Sequence, residues 1–268
     1  MRGNRIERWR SVRWVELAPD PEIAGALDHA GQRPENGQQN EKRGWSERFA
    51  NGCAVAVARE LRASSLRSKL ILPRSLDEGT EPLTPLGSGT SKRIDVTVVD
   101  SVLGLEIGVS LKGLNFRDSS SRNYDKNLTG RLYELADEVR LVHEHLPRAF
   151  MVGVFFLPLE AATDKIDGNS SFANTVLKLR GRTGRLDPAI GAHASKCDAA
   201  YVGLYATGDE PGNYARGVAR FINVERNPPR RGRPKVSDTL SLGQVVEEFV
   251  ARATFTAGLD WAEAESEQ

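Results

Sequence analysis

Two neighbouring stretches carry the residues with the clearest chemical potential. In RIDVTVV (93–99), apolar Ile94, Val96 and Val98 alternate with Asp95 and Thr97. In LEIGVSLKG (105–113), Leu105, Ile107, Val109 and Leu111 alternate with Glu106, Gly108, Ser110 and Lys112. Strict alternation assigns the two sets to opposite faces of a strand. The short DSVLG connection makes the pair an antiparallel hairpin, so Asp95 and the Ser110–Lys112 end can lie side by side in the right register. A carboxylate beside an ammonium suits phosphodiester hydrolysis. That reaction uses a hard divalent cation, held by one or two carboxylates with water and phosphate completing its shell, and a positive group that orients water or neutralises developing charge.

Asp95 is read as a ligand and Lys112 as the positive group. The second carboxylate is open at this point. Glu106 shares the strand face with Lys112 but lies six residues back, roughly 20 Å along an extended strand. Glu134 reaches the strand end if its helix packs over the sheet, and Ser110 offers a weak ligand or a water site. Singly, an Asp beside a turn and a Lys closing a strand are more often structural; their joint placement on one hairpin face favours chemistry. Because Lys112 ends a strand and fills no core position, its removal is expected to leave the fold intact.

The elements that position these residues follow from periodicity. SERFANGCAVAVARELRASSL places Phe49, Cys53, Val57 and Leu61 four apart, with Ser46 as N-cap, the pattern of a helix with a buried stripe. KLILP reads as a short strand and residues 77–91 as a Gly/Pro/Thr loop. LTGRLYELADEVRLVHEHL (128–146) is the clearest helix, with Leu128, Leu132, Leu135, Val139, Val142 and Leu146 in one stripe, Asn127 as N-cap, and Arg131, Glu134 and Glu138 together beside it. AFMVGVFFLP, apolar throughout, is a strand covered on both faces. A helix near Ser170–Leu179, strands at AAYVGLYAT and GVARFINV, and a helix near Leu242–Ala253 complete an α/β chain with a mixed sheet. Residues 1–44 read as a short helix and polar linker, 45–225 as the core, and 226–268 as a basic loop with a C-terminal helix.

With 39% hydrophobic and 27% charged residues, the composition is that of a globular protein. No apolar run is long enough to span a membrane and no signal-peptide stretch opens the chain, so a cytoplasmic location is the expectation. Cys53 and Cys197 lack any CxxC partner and read as buried free thiols. His143 and His145 suit the dipole at a helix end, and His29 and His193 join no nucleophilic arrangement. Net charge is only +1, but basic residues cluster at Arg2–Arg13, at KLRGRTGR and at RNPPRRGRPK. Such patches fit nucleic-acid binding, with Arg180, Arg182, Arg230, Arg231, Arg233 and Lys235 as candidates. RRGRPK is similar to the core of an AT-hook, although a basic loop is the commoner reading. GSGT (87–90) lacks the lysine and the following helix of a phosphate loop.

Residues 45–160 together resemble the PD-(D/E)XK nuclease superfamily. The resemblance rests on KRIDVTVVDSVLGLEIGVSLKG between two helices, followed by the AFMVGVFFLP strand. It implies an α/β fold, a mixed β-sheet flanked by helices with a restriction-endonuclease-like αβββαβ core. Asp95 takes the place of the first Asp, with Ile94 where the pattern has Pro. Ser110-Leu111-Lys112 takes the place of the triplet, Ser standing for the acid. Members with such an SxK triplet draw the missing acid from the following helix, which points to Glu134, with Glu138 second; the preceding helix can add Glu60. Asp95 and Glu134 would then hold Mg²⁺. The implied activity is a Mg²⁺-dependent DNA endonuclease of type II restriction or phage-defence kind. Its implied partners are double-stranded DNA, a cognate methyltransferase and a second copy in a homodimer. The alternatives are a non-catalytic nucleic-acid-binding protein that keeps the fold, and a structural or toxin-neutralising partner protein using the same sheet.

Overall fold

The computed structural model describes residues 12–77, 82–87, 89–185 and 193–257. Most of the N-terminal basic run and the acidic C-terminal tail therefore lie outside the described residues.

Within the first segment, read as a short helix and a polar linker, residues 21–30 form a helix, but only 31–38 connect it to the next one. Helix α1 (Pro21–Ala30) opens with Asp20, whose side chain accepts from the backbone N–H groups of Glu22 and Ile23 at 3.1 and 3.2 Å, and with Pro21 at the first helical position. Its short stripe of Ile23, Ala26, Leu27 and Ala30 is fully buried against helix α2 (Gln39–Ala63). Four apolar side chains suffice because Gly52 of α2 lets the two backbones meet: a Cβ there would lie 2.6 Å from the Ala26 Cα. Helix α2 also begins at Gln39 rather than after Ser46. Its cap is Gln38, whose N–H donates to Glu41 Oε2 at 2.6 Å, a reciprocal box written in residues that otherwise look like linker.

Next come strand β1 (Leu70–Leu72), a hairpin of β2 (Leu83–Gly87) and β3 (Thr90–Arg93), and strands β4 (Val96–Asp100) and β5 (Gly104–Gly113). Helix α3 (Leu128–His145) leads to β6 (Phe150–Pro158), and α4 (Ser171–Arg180) leads to β7 (Ala199–Tyr205). Strand β8 (Ala219–Asn223) and helix α5 (Leu242–Ala257) follow. Six strands form one mixed sheet in the order β1-β4-β5-β6-β7-β8; β5, β6 and β7 are parallel and the outer pairings antiparallel. Helices α1, α2 and α5 cover one face, burying Val96, Val98, Ile107, Val109, Phe150, Val152 and Phe156. Helices α3 and α4 cover the other, burying Leu105, Met151, Phe155 and Val202. Double coverage explains why β6 is apolar at every position but Gly153, where a Cβ would meet Leu135 at 3.0 Å. The residues after 226 are part of the same core, since Leu242, Val246 and Phe249 of α5 pack with α2.

Two departures from simple alternation matter. The expected loop of 77–91 contains the β2–β3 hairpin, its turn made by Gly87 and Gly89 at φ 92° and 74°; this is the whole meaning of GSGT. A bulge in the β4–β5 pairing sets Val98 opposite Ile107 and Val99 opposite Leu105, leaving Glu106 unpaired. Glu106 is thereby taken out of the row that holds Ser110 and Lys112.

Candidate active site

The chain enters β4 beside the point where it leaves β5, because Val96 pairs with Val109. Asp95 immediately precedes β4, and its Oδ2 accepts the Leu111 backbone N–H at 2.6 Å, which ties the carboxylate to the strand end that carries Lys112. Lys112 projects toward α3, where its Nζ lies 3.2 Å from Glu138 Oε2. Both side chains are largely buried, at 13% and 7% exposure. Burial works against the Lys112 ammonium, but Glu138 and then Asp95 offset it, and the net direction is above the ordinary lysine value. At neutral pH Lys112 is therefore a cation and not a proton acceptor. The pair leaves Glu138 Oε1 without a partner, and Ser110 Oγ, two residues before Lys112 on β5, is also fully buried and unpartnered. Asp95 itself is partly exposed.

Glu134 sits one turn before Glu138, at 53% exposure, and pairs with Arg131 at 2.7 Å. It contributes only a weak field at Lys112. Of the two acids on this flank of α3, the buried one, a turn further along, meets the lysine, and the exposed one does not. Glu106 pairs instead with Lys69 at 3.1 Å, in a group with Asp100 at the opposite end of β5. Burial raises the Glu106 carboxyl above its usual range despite Lys69. Glu60 lies beside the start of α5, 3.1 Å from a Cβ built on Gly243, and burial followed by the fields of Asp20, Glu22 and Glu247 raises its carboxyl. Neither Glu106 nor Glu60 joins Asp95 and Lys112. Among the described residues no group of three or more His, Cys, Asp or Glu side chains is arranged to hold a metal.

The basic candidates divide by what holds them. Arg180 is structural: it donates to the carbonyls of Val224 and Arg226 and to Asn227 Oδ1. Arg182 stacks over Tyr133 at 5.5 Å. The RRGRPK segment is laced onto neighbouring loops. Arg230 O accepts from Ser170, Arg231 Nε donates to Gly168 O, and Gly232 N donates to Ala162 O. Arg233 covers the Tyr214 ring at 4.7 Å, and Pro234 O accepts from Trp14 Nε1. Arg230, Arg231 and Lys235 keep exposed side chains, but the backbone is not the free extended strand an AT-hook inserts. His143 is buried, with Nδ1 2.8 Å from Ala194 O and Nε2 3.3 Å from Asp198 Oδ2, a packing role rather than an exposed helix-end charge. Cys53 and Cys197 are buried free thiols.

A second polar cluster, which sequence patterning does not reveal, closes the ends of β5, β6 and β7. Arg33, from the α1–α2 loop, is 6% exposed and reaches Glu35 and Glu160 at 3.2 Å each. Tyr124 donates to Glu160 Oε2 at 3.1 Å, and Arg117 Nε donates to the Tyr124 oxygen at 3.2 Å. These residues come from three separate stretches of the chain, around 33–35, 117–124 and 160, that share no pattern. A shallow groove of about 470 Å³ lies nearby, with Gln32, Thr207 and Arg216 in its lining, and contains none of the candidate residues.

Comparison with protein-family models, with curated proteins and with solved structures finds no match. The helices and sheet place the chain in the mixed α/β class, and no helix among the described residues is long and apolar enough to cross a membrane.

Proposed function

We propose that the chain is a Mg²⁺-dependent DNA endonuclease with a PD-(D/E)XK-like core, serving restriction or phage defence. The observation that carries this reading is the buried Lys112–Glu138 pair at the strand end to which Asp95 is tied. With the β2–β3 hairpin set aside as an insertion, α2, β1, β4, β5, α3 and β6 come in the order αβββαβ, which supports this reading. Glu138 replaces Glu134 as the acid drawn from the helix, which compensates for Ser110 in the triplet.

The donor set suits Mg²⁺. Asp95 and Glu138 are hard oxygen ligands in the number Mg²⁺ ordinarily takes from protein, and Glu138 Oε1 is a buried oxygen lacking any partner, a costly state that a cation would relieve. Ser110 Oγ could hold a coordinated water. Bound there, the ion would polarise the phosphate and acidify water. Lys112, charged at neutral pH, would hold the attacking water and offset charge on the phosphorane-like state.

Incubating the purified chain with unmethylated plasmid and phage DNA, in Mg²⁺ or EDTA, beside Asp95→Ala tests this. Discrete Mg²⁺-dependent fragments, absent with the variant, are expected. A second reading, a non-catalytic DNA-binding protein that keeps the fold, is favoured by the closed Lys112–Glu138 pair and by the absence, among the described residues, of any group of three or more side chains arranged to hold a metal. Binding without any cutting would select it. A cognate methyltransferase, a homodimer and a cytoplasmic setting belong to the nuclease reading and stand or fall with it.

A further inference from the structure

We propose that the loop between β5 and α3, together with Lys42 of α2, is the surface that grips the phosphodiester backbone of duplex DNA. This deepens the nuclease reading by assigning its substrate contact, and it rests on that reading only for the choice of DNA. The loop begins directly after Lys112 and Gly113, beside the strand end that carries Asp95 and Lys112.

Three cations border the loop, and none makes an ion pair with another of the described residues. Lys42 Nζ stands over the Phe116 ring at 5.5 Å. The Arg117 guanidinium stands over the Tyr124 ring at 5.2 Å, bonded only through Nε to the Tyr124 oxygen. Arg122 is exposed, at φ 60°, a left-handed conformation uncommon for a residue with a Cβ. The acids around them are already committed. Asp118 takes Lys126 and the N–H groups of Ser120 and Ser121, which hold its carboxyl well below the usual range. Asp125 is bound by Lys165 at 2.6 Å and by Asn174. Glu35 and Glu160 lie in the field of Arg117 but sit on Arg33 at 3.2 Å. Cations fixed on aromatic faces and lacking carboxylate partners lose little freedom on meeting phosphate, and guanidinium geometry suits phosphate oxygens. Ser119, exposed on the same turn, adds a neutral phosphate contact, whereas the Ser120 and Ser121 hydroxyls already donate to Asp118. RRGRPK, laced into other loops, is the rival surface.

The test is binding of the full chain to a labelled duplex in EDTA, as a function of salt. The triple variant Lys42→Gln, Arg117→Gln, Arg122→Asn is compared with Arg230→Gln, Arg231→Gln, with circular dichroism checking the fold of both. Each lost phosphate contact lowers the slope of log affinity against log salt by about 0.9. The loop variant is therefore expected to lose two to three units of slope and to bind roughly 10-fold or more weakly at moderate salt, the RRGRPK variant to change little. An unchanged slope in the folded loop variant, a loss confined to the RRGRPK variant, or no duplex binding by the unmodified chain at low salt would each overturn the proposal. Duplex binding that depends on the loop, with no Mg²⁺-dependent cutting, would sink the nuclease reading and leave this one standing.

Discussion

Lys112 and Glu138 are two charges that each would be costly to bury alone. Their 3.2 Å contact, with Asp95 nearby, is what makes the burial tolerable. By the alternation alone, Lys112 is free to be cut back to Ala, since it fills no apolar position. The pair changes that expectation. Lys112→Ala leaves a carboxylate at 7% exposure without its cation, and Glu138→Ala strands the ammonium. Each single variant is expected to lose about 3 kcal/mol of unfolding free energy, within the range for breaking a buried pair. The double variant Lys112→Ala, Glu138→Ala is expected to lose clearly less than the sum. Urea titrations of the four proteins measure this coupling, and additive losses would show that the pair is not a unit. Activity comparisons should therefore use Asp95→Ala, which removes a partly exposed carboxylate, and should treat Lys112→Ala as a change of stability as well as of chemistry.

At the scale of elements, what could be read from the chain is what periodicity encodes. Strands β4, β5 and β6 and helices α3 and α4 stand close to where alternation and the leucine stripe put them, because each buries a continuous row. Asp95 and Lys112 were legible as neighbours for the same reason. Glu138 was harder to separate from Glu134, since both lie on one flank of α3 and only the depth of the helix over the sheet distinguishes them. Glu106 was misassigned to the Lys112 row because a bulge leaves no trace in an alternating pattern. The first half of α2 and the β2–β3 hairpin were missed because their residues are largely solvent-facing and polar, or include Pro85 and paired glycines. Helix α1 is held by a backbone approach that composition does not advertise. The same substitution at two glycines exposes it. Gly25→Ala, with nothing within 4 Å of its Cβ, is expected to stabilise by about 0.5–1 kcal/mol through helix propensity. Gly52→Ala drives a methyl to 2.6 Å from the Ala26 Cα. Backbone cannot yield as a side-chain end does, so a net loss of about 1–2 kcal/mol is expected once the propensity gain is offset. Chemical denaturation of both variants reads the two signs.

For the whole molecule, the two halves of the sequence meet at one residue. Arg33 leaves the α1–α2 loop and reaches Glu160 after β6, close to Tyr124 from the β5–α3 loop and Tyr205 at the end of β7. Burial opposes its charge, but the tyrosines and the two acids outweigh it and raise its proton affinity. Arg33 therefore closes the end of the sheet at which Asp95 and Lys112 lie, and it anchors the loop that carries Arg117 and Arg122 through Glu160 and Tyr124. Removing it has a consequence that a local surface change would not have. Arg33→Met leaves Glu160 and Glu35 without their shared cation, and a loss of about 3 kcal/mol is expected. More specifically, amide exchange should accelerate first in residues 114–127 and in the α1–α2 loop, with β5, β6 and β7 protected until global unfolding. DNA affinity should fall along with the order of that loop, even though Arg33 itself is too buried to touch a phosphate. If exchange rises uniformly across the sheet, Arg33 is a general core contact and the loop is held by other means. If it rises in the loop alone, one buried guanidinium sets the shape of the binding edge for the entire chain.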